Sequence, residues 1–336
     1  MRTELLSQAR ASAELGSPMY AELLARAADD PDGPVAEVLG GRTETRFILG
    51  MLGTVHRLVL EGRAPELAAH YPTAGGTKDP LDAWPAFRDV LAEHAEEIRE
   101  GLTDPPQTNE VGRAAPLVGG LLAVARATGL PIRLLEVGAS AGLNLRADHF
   151  RFRYEGGAYG PPESPVVLDG AWLGRPPVEA PLTVAERLGC DLDPLDPASA
   201  EARRRLLSYV WPDQEARIAR LRAAFEVAAR VPAAVVRAGA ADFLDGLAPK
   251  PGVATVVWHS TMRAYLPEDE AGRMRRSLEE AGAAATGEAP VAHLSFEGRD
   301  PARLAPVQVV ALRLWPGGER VLLGEGPAHG LPTTWF

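Results

Sequence analysis

Residues 131–150 read P-I-R-L-L-E-V-G-A-S-A-G-L-N-L-R-A-D-H-F and contain a strand signal, a turn and a helix signal in succession. Residues 132–137 are mostly apolar and stand between a proline and a glycine, as is typical of a buried strand. Only small residues follow at 138–142, and apolar positions within 143–147 predict the start of a helix. This succession forms half of a nucleotide-binding unit, because the turn lets a ligand approach the backbone and the helix N-terminus offers unpaired N–H groups.

The turn at 138–142 has three interpretations. Glu136, Gly138 and Gly142 match an acid-x-Gly-x-x-x-Gly pattern, which resembles the first motif of class I S-adenosylmethionine-dependent methyltransferases. The same residues fit G-x-S-x-G, the nucleophile elbow of hydrolases, with Ser140 as the nucleophile. The third interpretation is a tight turn between a strand and a helix that binds no ligand. In the methyltransferase interpretation, Ser140 and Asn144 join the three motif residues at the cofactor.

The composition indicates a globular protein. The chain has 336 residues, of which 46% are hydrophobic and 24% are charged, an ordinary balance for a folded domain. No apolar run is long enough for a transmembrane helix or a signal peptide, and the single cysteine excludes an internal disulfide. We therefore expect a cytoplasmic protein that does not bind a membrane. A net charge of -10 argues against nucleic acid as a partner, because phosphate binding needs a positive field.

The first 130 residues predict helices and no strand. In the strongest of them, apolar residues recur at spacings of three and four between Phe47 and Val59. In α/β-hydrolases several strands precede the nucleophile elbow, so the absence of an early strand disfavours the hydrolase interpretation. We predict a helical domain over residues 1–109, which would cover the pocket and bind substrate, followed by a Rossmann-like cofactor-binding domain over residues 110–336.

Two acidic positions are candidates for the cofactor. A β-hairpin insertion is expected near residues 150–181, and the second strand then ends in Asp191 and Asp193. A carboxylate after the second strand binds the ribose hydroxyls in nucleotide-binding folds, although these acids are also typical of a turn. Asp242 follows a third strand at 234–238 and resembles the acid that meets the adenine edge in methyltransferases. Its alternative role is that of a helix N-cap.

His259 is the candidate catalytic residue. It follows the apolar residues of the strand predicted at 252–260, and ligands of open α/β sheets bind at such strand ends. A histidine with a pKa near 6.5 can take a proton at neutral pH, and Arg263 follows closely enough to orient an anionic acceptor. The alternative is a structural histidine that caps the next helix or bonds a backbone carbonyl. The histidine spacing fits no zinc motif, so we predict no metal site, and His293 is expected to pack inside a strand.

A polar cluster before the first strand is the candidate for substrate contacts. Gln107, Asn109 and Glu110 open the segment that leads into the fourth helix. These side chains can reach a ligand from a domain that covers the pocket. A helix cap at Thr108 or Asn109 is the alternative.

Several sequence blocks resemble one bacterial family over nearly the whole chain. They are Q-T-N-E-V-G-R-A at 107–114, L-L-E-V-G-A-S-A-G-L-N-L at 134–145, V-W-P-D-Q at 210–214, W-H-S-T-M-R-A-Y-L at 258–266 and L-W-P-G-G-E at 314–319. The resemblance is to domain-of-unknown-function family 2332, and it implies membership without an activity. The order of strands and helices resembles that of class I methyltransferases.

We therefore expect an α/β fold with a Rossmann-like, class I methyltransferase-type sheet that ends in an antiparallel β-hairpin, preceded by a helical domain. The expected function is methyl transfer from S-adenosylmethionine to a small-molecule acceptor. The alternatives are a non-catalytic protein that binds a nucleotide-like ligand and, less favoured, a Ser140 hydrolase. The oligomeric state is left open.

Overall fold

The computed structural model describes residues 1–103, 106–302 and 305–336, and these form two compact units. The first unit comprises Met1–Thr108 and Ser199–Ala219, and the second comprises Asn109–Ala198 and Arg220–Phe336. The sequence analysis assigns 199–219 to the second domain, whereas the structure places this segment in the helical unit. The reason is packing, because Trp211 belongs to the apolar core of the first unit.

The secondary structure of the described residues is mixed. The α-helices are α1 Arg2–Glu14, α2 Pro18–Ala28, α3 Pro34–Leu39, α4 Thr45–Leu60, α5 Pro65–Ala68, α6 Trp84–Glu93, α7 Ala95–Gly101, α8 Ala114–Thr128, α9 Ala200–Ser208, α10 Glu215–Ala228, α11 Ala240–Leu244 and α12 Glu268–Ala283. Within the described ranges, no helix is long and apolar enough to cross a membrane. The strands are β1 Ile132–Val137, β2 Arg151–Tyr154, β3 Gly157–Tyr159, β4 Val167–Leu168, β5 Trp172–Leu173, β6 Val184–Asp191, β7 Ala234–Arg237, β8 Ala254–Ser260, β9 Val291–Glu297, β10 Val307–Trp315, β11 Arg320–Pro327 and β12 Thr333–Trp335.

The helical unit is organised around α4, whose apolar periodicity is correctly predicted. Ten residues of α4 are buried, among them His56. The ring of His56 contacts the Ser208 carbonyl at 3.1 Å and the Thr73 hydroxyl at 2.7 Å. Burial lowers the pKa of His56 to about 4, so the ring is neutral at pH 7.

The second unit contains a nine-stranded, mostly parallel sheet with the order β5-β12-β11-β10-β9-β8-β1-β6-β7. Strands β7, β6, β1, β8 and β9 run parallel, and β10, β11 and β12 continue the sheet antiparallel. The predicted α/β fold and helical N-terminal region are confirmed. Helices α11 and α12 pack on one face through Val257 and Leu278, and α8 lies on the other, where Gly120 faces Leu294.

The strand order reverses beside β1. The chain passes from β1 to β6 and β7 on one side, then to β8 and β9 on the other. Val137 is the register partner of both Cys190 and His259, so the carboxyl ends of three parallel strands lie side by side. Ligands of open α/β sheets bind at such a reversal.

The segment after the turn differs from the prediction. Residues Asn144–His149 form a 3-10 helix that is distorted at Arg146, and no α-helix is present between β1 and β6 in this fully described stretch. The chain enters a small sheet instead, with the order β3-β2-β4. The predicted hairpin is confirmed by the antiparallel pair β2 and β3. A 3-10 helix this short does not provide the aligned N–H groups of an α-helix N-terminus, so that expectation is wrong.

Candidate functional site

The turn after β1 adopts left-handed backbone conformations. The φ angles of Gly138 and Gly142 are +73° and +66°, and that of Ser140 is +53°. At Gly142 a Cβ atom would also approach a methyl of Val235 to 2.8 Å, so both space and conformation require glycine. Within the described residues, Ser140 and Thr261 alone have positive φ without being glycine, and they lie in the loops after β1 and β8. Such backbone strain clusters at functional sites.

The backbone donors of this turn are engaged within the protein. The amides of Gly138 and Ala139 both donate to the carbonyl of Cys190, each at 2.9 Å. Ser140 donates to a carboxylate oxygen of Asp191 at 2.8 Å. Five of the six backbone N–H groups in this stretch donate to protein atoms, those of Gly138, Ala139, Ser140, Gly142 and Leu143. The turn is therefore not an open cradle for a phosphate group.

Buried polar acceptors lie beside the turn. Glu136 is only 3% exposed, and it neighbours Trp258 in the strand register. Burial raises the pKa of Glu136 to about 8; the Trp258 side chain opposes the rise, and the negative charge of Asp191 adds to it. Its Oε2 atom, the Ser140 hydroxyl and the Asn144 Oδ1 atom have no hydrogen-bond partner among the described residues. Buried polar groups are normally paired, so these atoms indicate a place where a ligand can bind.

Asp191 shapes the turn. It ends β6, as predicted, and its carboxylate accepts hydrogen bonds from the amides of Ser140 and Asp193. Asp193 itself forms an ion pair with Arg237 at 2.8 Å. The structure thus brings Asp191 to the candidate site, while its contact with a ribose stays a prediction.

Asp242 is not the helix N-cap that the alternative interpretation proposes. The N-cap of α11 is Gly239, and the Asp242 side chain is 68% exposed and forms an ion pair with Arg273 at 2.6 Å. A contact between Asp242 and adenine stays a prediction.

The polar cluster before α8 braces the turn. The side chain of Asn109 accepts the amide of Leu143 at 2.9 Å, and the Asn144 side chain donates to the Glu110 carbonyl at 3.1 Å. The Glu110 carboxylate caps the 3-10 helix Val111–Arg113. Asn109 therefore holds the turn instead of capping a helix. Gln107 belongs to the first unit, and its role stays a prediction.

His259 is buried at the predicted strand end and has two side-chain partners. Its Nδ1 atom lies 2.7 Å from a carboxylate oxygen of Glu297, and its Nε2 atom lies 2.9 Å from Nε2 of His293. The same Glu297 oxygen accepts the amides of Met262 and Arg263. The alternative in which His259 bonds the backbone is not observed. A ligand that bonds His259 directly must displace one of its two partners.

His293 and Glu297 were missed as site residues. The β9 sequence V-A-H-L-S-F-E places polar residues at every second position, which indicates one polar face of an apolar strand. Burial lowers the pKa of His293 to about 3, with contributions from His259 and two arginines, so the ring is neutral at pH 7. The contacts assign tautomers in which His259 donates to Glu297 and accepts from His293.

A cavity of about 240 Å³ opens beside these histidines, and we call it the His293 cavity. Helix α12 forms one wall through Met274 and Leu278, and strands β9 and β10 form the other. Arg263, which is only 15% exposed, borders it and forms an ion pair with Glu268 at 2.8 Å. The polar end of the cavity consists of His259, His293, Ser295 and Glu297.

The comparison with known families decides membership. A family model described as an uncharacterized protein conserved in bacteria (DUF2332) matches residues 2–335. The chain belongs to the DUF2332 family. The resemblance of the sequence blocks is thereby confirmed. No curated protein matches this DUF2332 member significantly.

The geometry of this DUF2332 protein bears on the hydrolase interpretation of Ser140 and on metal binding. Ser140 is buried, and its hydroxyl has no hydrogen-bond partner among the described residues. A nucleophilic serine needs a base within hydrogen-bond reach, and no described residue is bonded to the Ser140 hydroxyl. Over the described ranges, no group of three or more His, Cys, Asp or Glu side chains is arranged to hold a metal ion.

Proposed function

We propose that this DUF2332 protein is an S-adenosylmethionine-dependent methyltransferase that acts on a small molecule. The observation that carries the proposal is the reversal of strand order between β1 and β8, where the strained turn adjoins the carboxyl ends of the strands that carry Glu136 and the buried His259. The five parallel strands follow the order third, second, first, fourth, fifth, and the antiparallel strands β10, β11 and β12 come next in the sheet. This order supports the resemblance to class I methyltransferases.

The buried groups suit a cationic cofactor without phosphate. The amides of the turn already donate to protein atoms, so they offer little to a pyrophosphate. Glu136 and Asn144 present buried acceptor atoms, which match the ammonium group of S-adenosylmethionine. In the proposal, Glu136, Ser140 and Asn144 hold the amino-acid end, and Asp191 holds the ribose. S-adenosylmethionine supplies an electrophilic methyl group when it is bound.

The histidine pair gives the acceptor's proton a route. His293 borders the cavity and can take a proton at Nδ1 while its Nε2 proton passes to His259. Glu297 stabilises the resulting positive charge on His259. One proton thus leaves the acceptor while His293 stays neutral. The low pKa of His293 disfavours a positive charge on its ring.

The second candidate is a non-catalytic protein that binds a nucleotide-like ligand. A phosphate-bearing ligand would need donors that the turn uses internally, so the geometry favours the methyltransferase. Calorimetric titration separates the two. We expect S-adenosylhomocysteine and S-adenosylmethionine to bind, and ATP and NAD not to bind.

A pair of glycine variants tests the position of the site. Gly138 and Gly246 both have positive φ, at +73° and +66°, and a Cβ at Gly246 would meet no atom within 4 Å. Gly138→Ala should weaken S-adenosylhomocysteine binding by about tenfold or more, equal to about 1.4 kcal/mol. Gly246→Ala carries the same backbone strain away from the site and should leave affinity unchanged. Equal affinities for the two folded variants would contradict the placement, and binding of ATP alone would contradict the function.

A further inference from the structure

We propose that the His293 cavity selects an anionic small molecule with a short apolar body, and that Arg320 and Arg275 hold its anionic group. The inference deepens the proposed function, on which it rests, because it assigns the methyl acceptor to this cavity. The cavity reaches the carboxyl end of β8 at His259, and most of its other lining residues lie on α12, β9 and β10. Each step below uses contacts of the second unit.

The cavity is positive in an acidic protein. Four arginines and two glutamates border it, and His293 is neutral, so the lining carries a formal charge of two positive units. The whole chain carries a net charge of -10. A cleft lined by one sign of charge raises the local concentration of ligands of the opposite sign.

Two of these arginines lack an acidic partner among the described residues. Arg313 pairs with Glu279, and Arg263 pairs with Glu268. No ion pair joins Arg275 or Arg320 to another residue in the described parts of the chain. Both side chains are exposed and border the cavity, so they stand at its rim, within reach of an entering ligand.

The sheet register places cationic groups opposite one another. Arg313 on β10 is the register partner of both His293 on β9 and Arg320 on β11. Like charges directly opposite each other on antiparallel strands are destabilising, and Glu279 compensates only Arg313. An anion bound beside Arg320 would relieve this repulsion. The register is an observation independent of the cavity itself.

The shape of the cavity limits the ligand. Its volume of about 240 Å³ lies below the range of about 300–1,000 Å³ that is typical of ligand pockets, so the ligand must be small. Met274, Leu278, Leu312 and Trp315 supply apolar walls, and His293 lies at the polar end. A carboxylate or phosphate at the rim, a short apolar body against the walls and a hydroxyl or amine near His293 fill these three regions.

The test compares acids with neutral compounds of the same shape. Acetate, isovalerate, benzoate and 4-hydroxybenzoate are titrated with their matched amides and with inorganic phosphate, by ligand-observed NMR on the full chain. We expect at least one carboxylate to bind about tenfold more tightly than its amide. We also expect added salt to weaken the binding, because the arginines are exposed. If phosphate competes for the same site, the recognised feature is the anion and not the carboxyl group.

Arginine variants locate the anion. Arg320→Gln should lower the affinity for the preferred carboxylate by about tenfold and leave the affinity for the matched amide unchanged. Arg276→Gln is the matched control, since Arg276 is an exposed arginine of α12 that does not border the cavity. The inference is overturned if acids and amides bind alike, if Arg320→Gln changes nothing, or if no probe binds up to about 10 mM.

The titration needs no cofactor, so the two proposals can fail separately. Arg320-dependent carboxylate binding without S-adenosylhomocysteine binding would refute the methyltransferase and keep the anionic ligand. Binding of S-adenosylhomocysteine without binding of any carboxylate would refute the anionic ligand and keep the methyltransferase.

Discussion

The replacement Glu136→Gln should stabilise the protein at neutral pH. Glu136 is buried, and its pKa lies near 8, against an ordinary value of 4.5. At pH 7 the folded protein keeps this side chain protonated, whereas the unfolded chain ionises it. Each pH unit above 4.5 therefore favours the unfolded state by about 1.4 kcal/mol, which amounts to about 3 kcal/mol at pH 7.

The direction of the pH dependence follows from the raised pKa. Below pH 4.5 both states are protonated, and the glutamate carries no penalty. Between pH 4.5 and 8 the folded state binds more protons than the unfolded state, so the contribution of Glu136 to stability falls as pH rises. Glutamine has nearly the same shape and does not titrate. The variant should thus match the parent near pH 4.5 and exceed its stability by about 3 kcal/mol at pH 7.

Urea unfolding at several pH values between 4.5 and 7.5 measures this difference. The control is Glu186→Gln on the neighbouring strand β6, where Lys250 lowers the pKa of an exposed carboxylate. Because that shift is opposite in sign, the control should not gain stability as pH rises. A stability difference between Glu136→Gln and the parent that stays constant with pH would show that Glu136 is ionised in the fold, and the reasoning would be refuted.

Three further predictions concern other parts of the chain. His56 has a pKa near 4, so the free energy of unfolding of the helical unit should fall by about 2 kcal/mol between pH 7 and 5, because only the unfolded state gains the proton. Urea unfolding of the parent and of His56→Gln at both pH values measures this fall. Gly142→Ala should lower Tm, because backbone strain and the clash with Val235 cost about 1–3 kcal/mol of stability. Gly156→Ala should lower Tm less, because Gly156 has a similar φ and open space around it. With an acceptor from the carboxylate panel, His259→Gln should lower the rate at which S-adenosylhomocysteine forms by a factor of about 10² to 10⁴, without weakening cofactor binding.

Local patterns in the sequence were sufficient for the central strands. The run predicted at 132–137 is strand β1 with the same bounds, Asp191 is the last residue of β6, and His259 lies at the carboxyl end of β8. These features depend on short apolar runs and on the polar residues that end them, which a single segment displays.

The partners of His259 depend on contacts that no single segment displays. Glu297 and His293 reach His259 only because β9 lies beside β8 in a particular register. The alternation of polar residues in β9 shows that one face is polar, but not which strand adjoins it. The occupied amides of the turn were missed for the same reason, since Cys190 and Asn109 come from distant parts of the chain.

The unfavourable features of this unit are concentrated at the reversal of strand order. Ser140 and Thr261 hold left-handed conformations that cost about 1–3 kcal/mol each, and Glu136 adds its proton-dependent penalty. None of the three is needed to build the sheet, because glycine and glutamine would satisfy the same positions with less strain.

A ligand with a cationic group beside Glu136 would let the carboxylate ionise and would recover much of this free energy. Binding of S-adenosylhomocysteine at pH 7 should therefore release a proton, detectable as a dependence of the calorimetric heat on buffer ionisation enthalpy. Glu136→Gln should abolish that release, and an unchanged proton count would show that the ligand's ammonium group binds elsewhere.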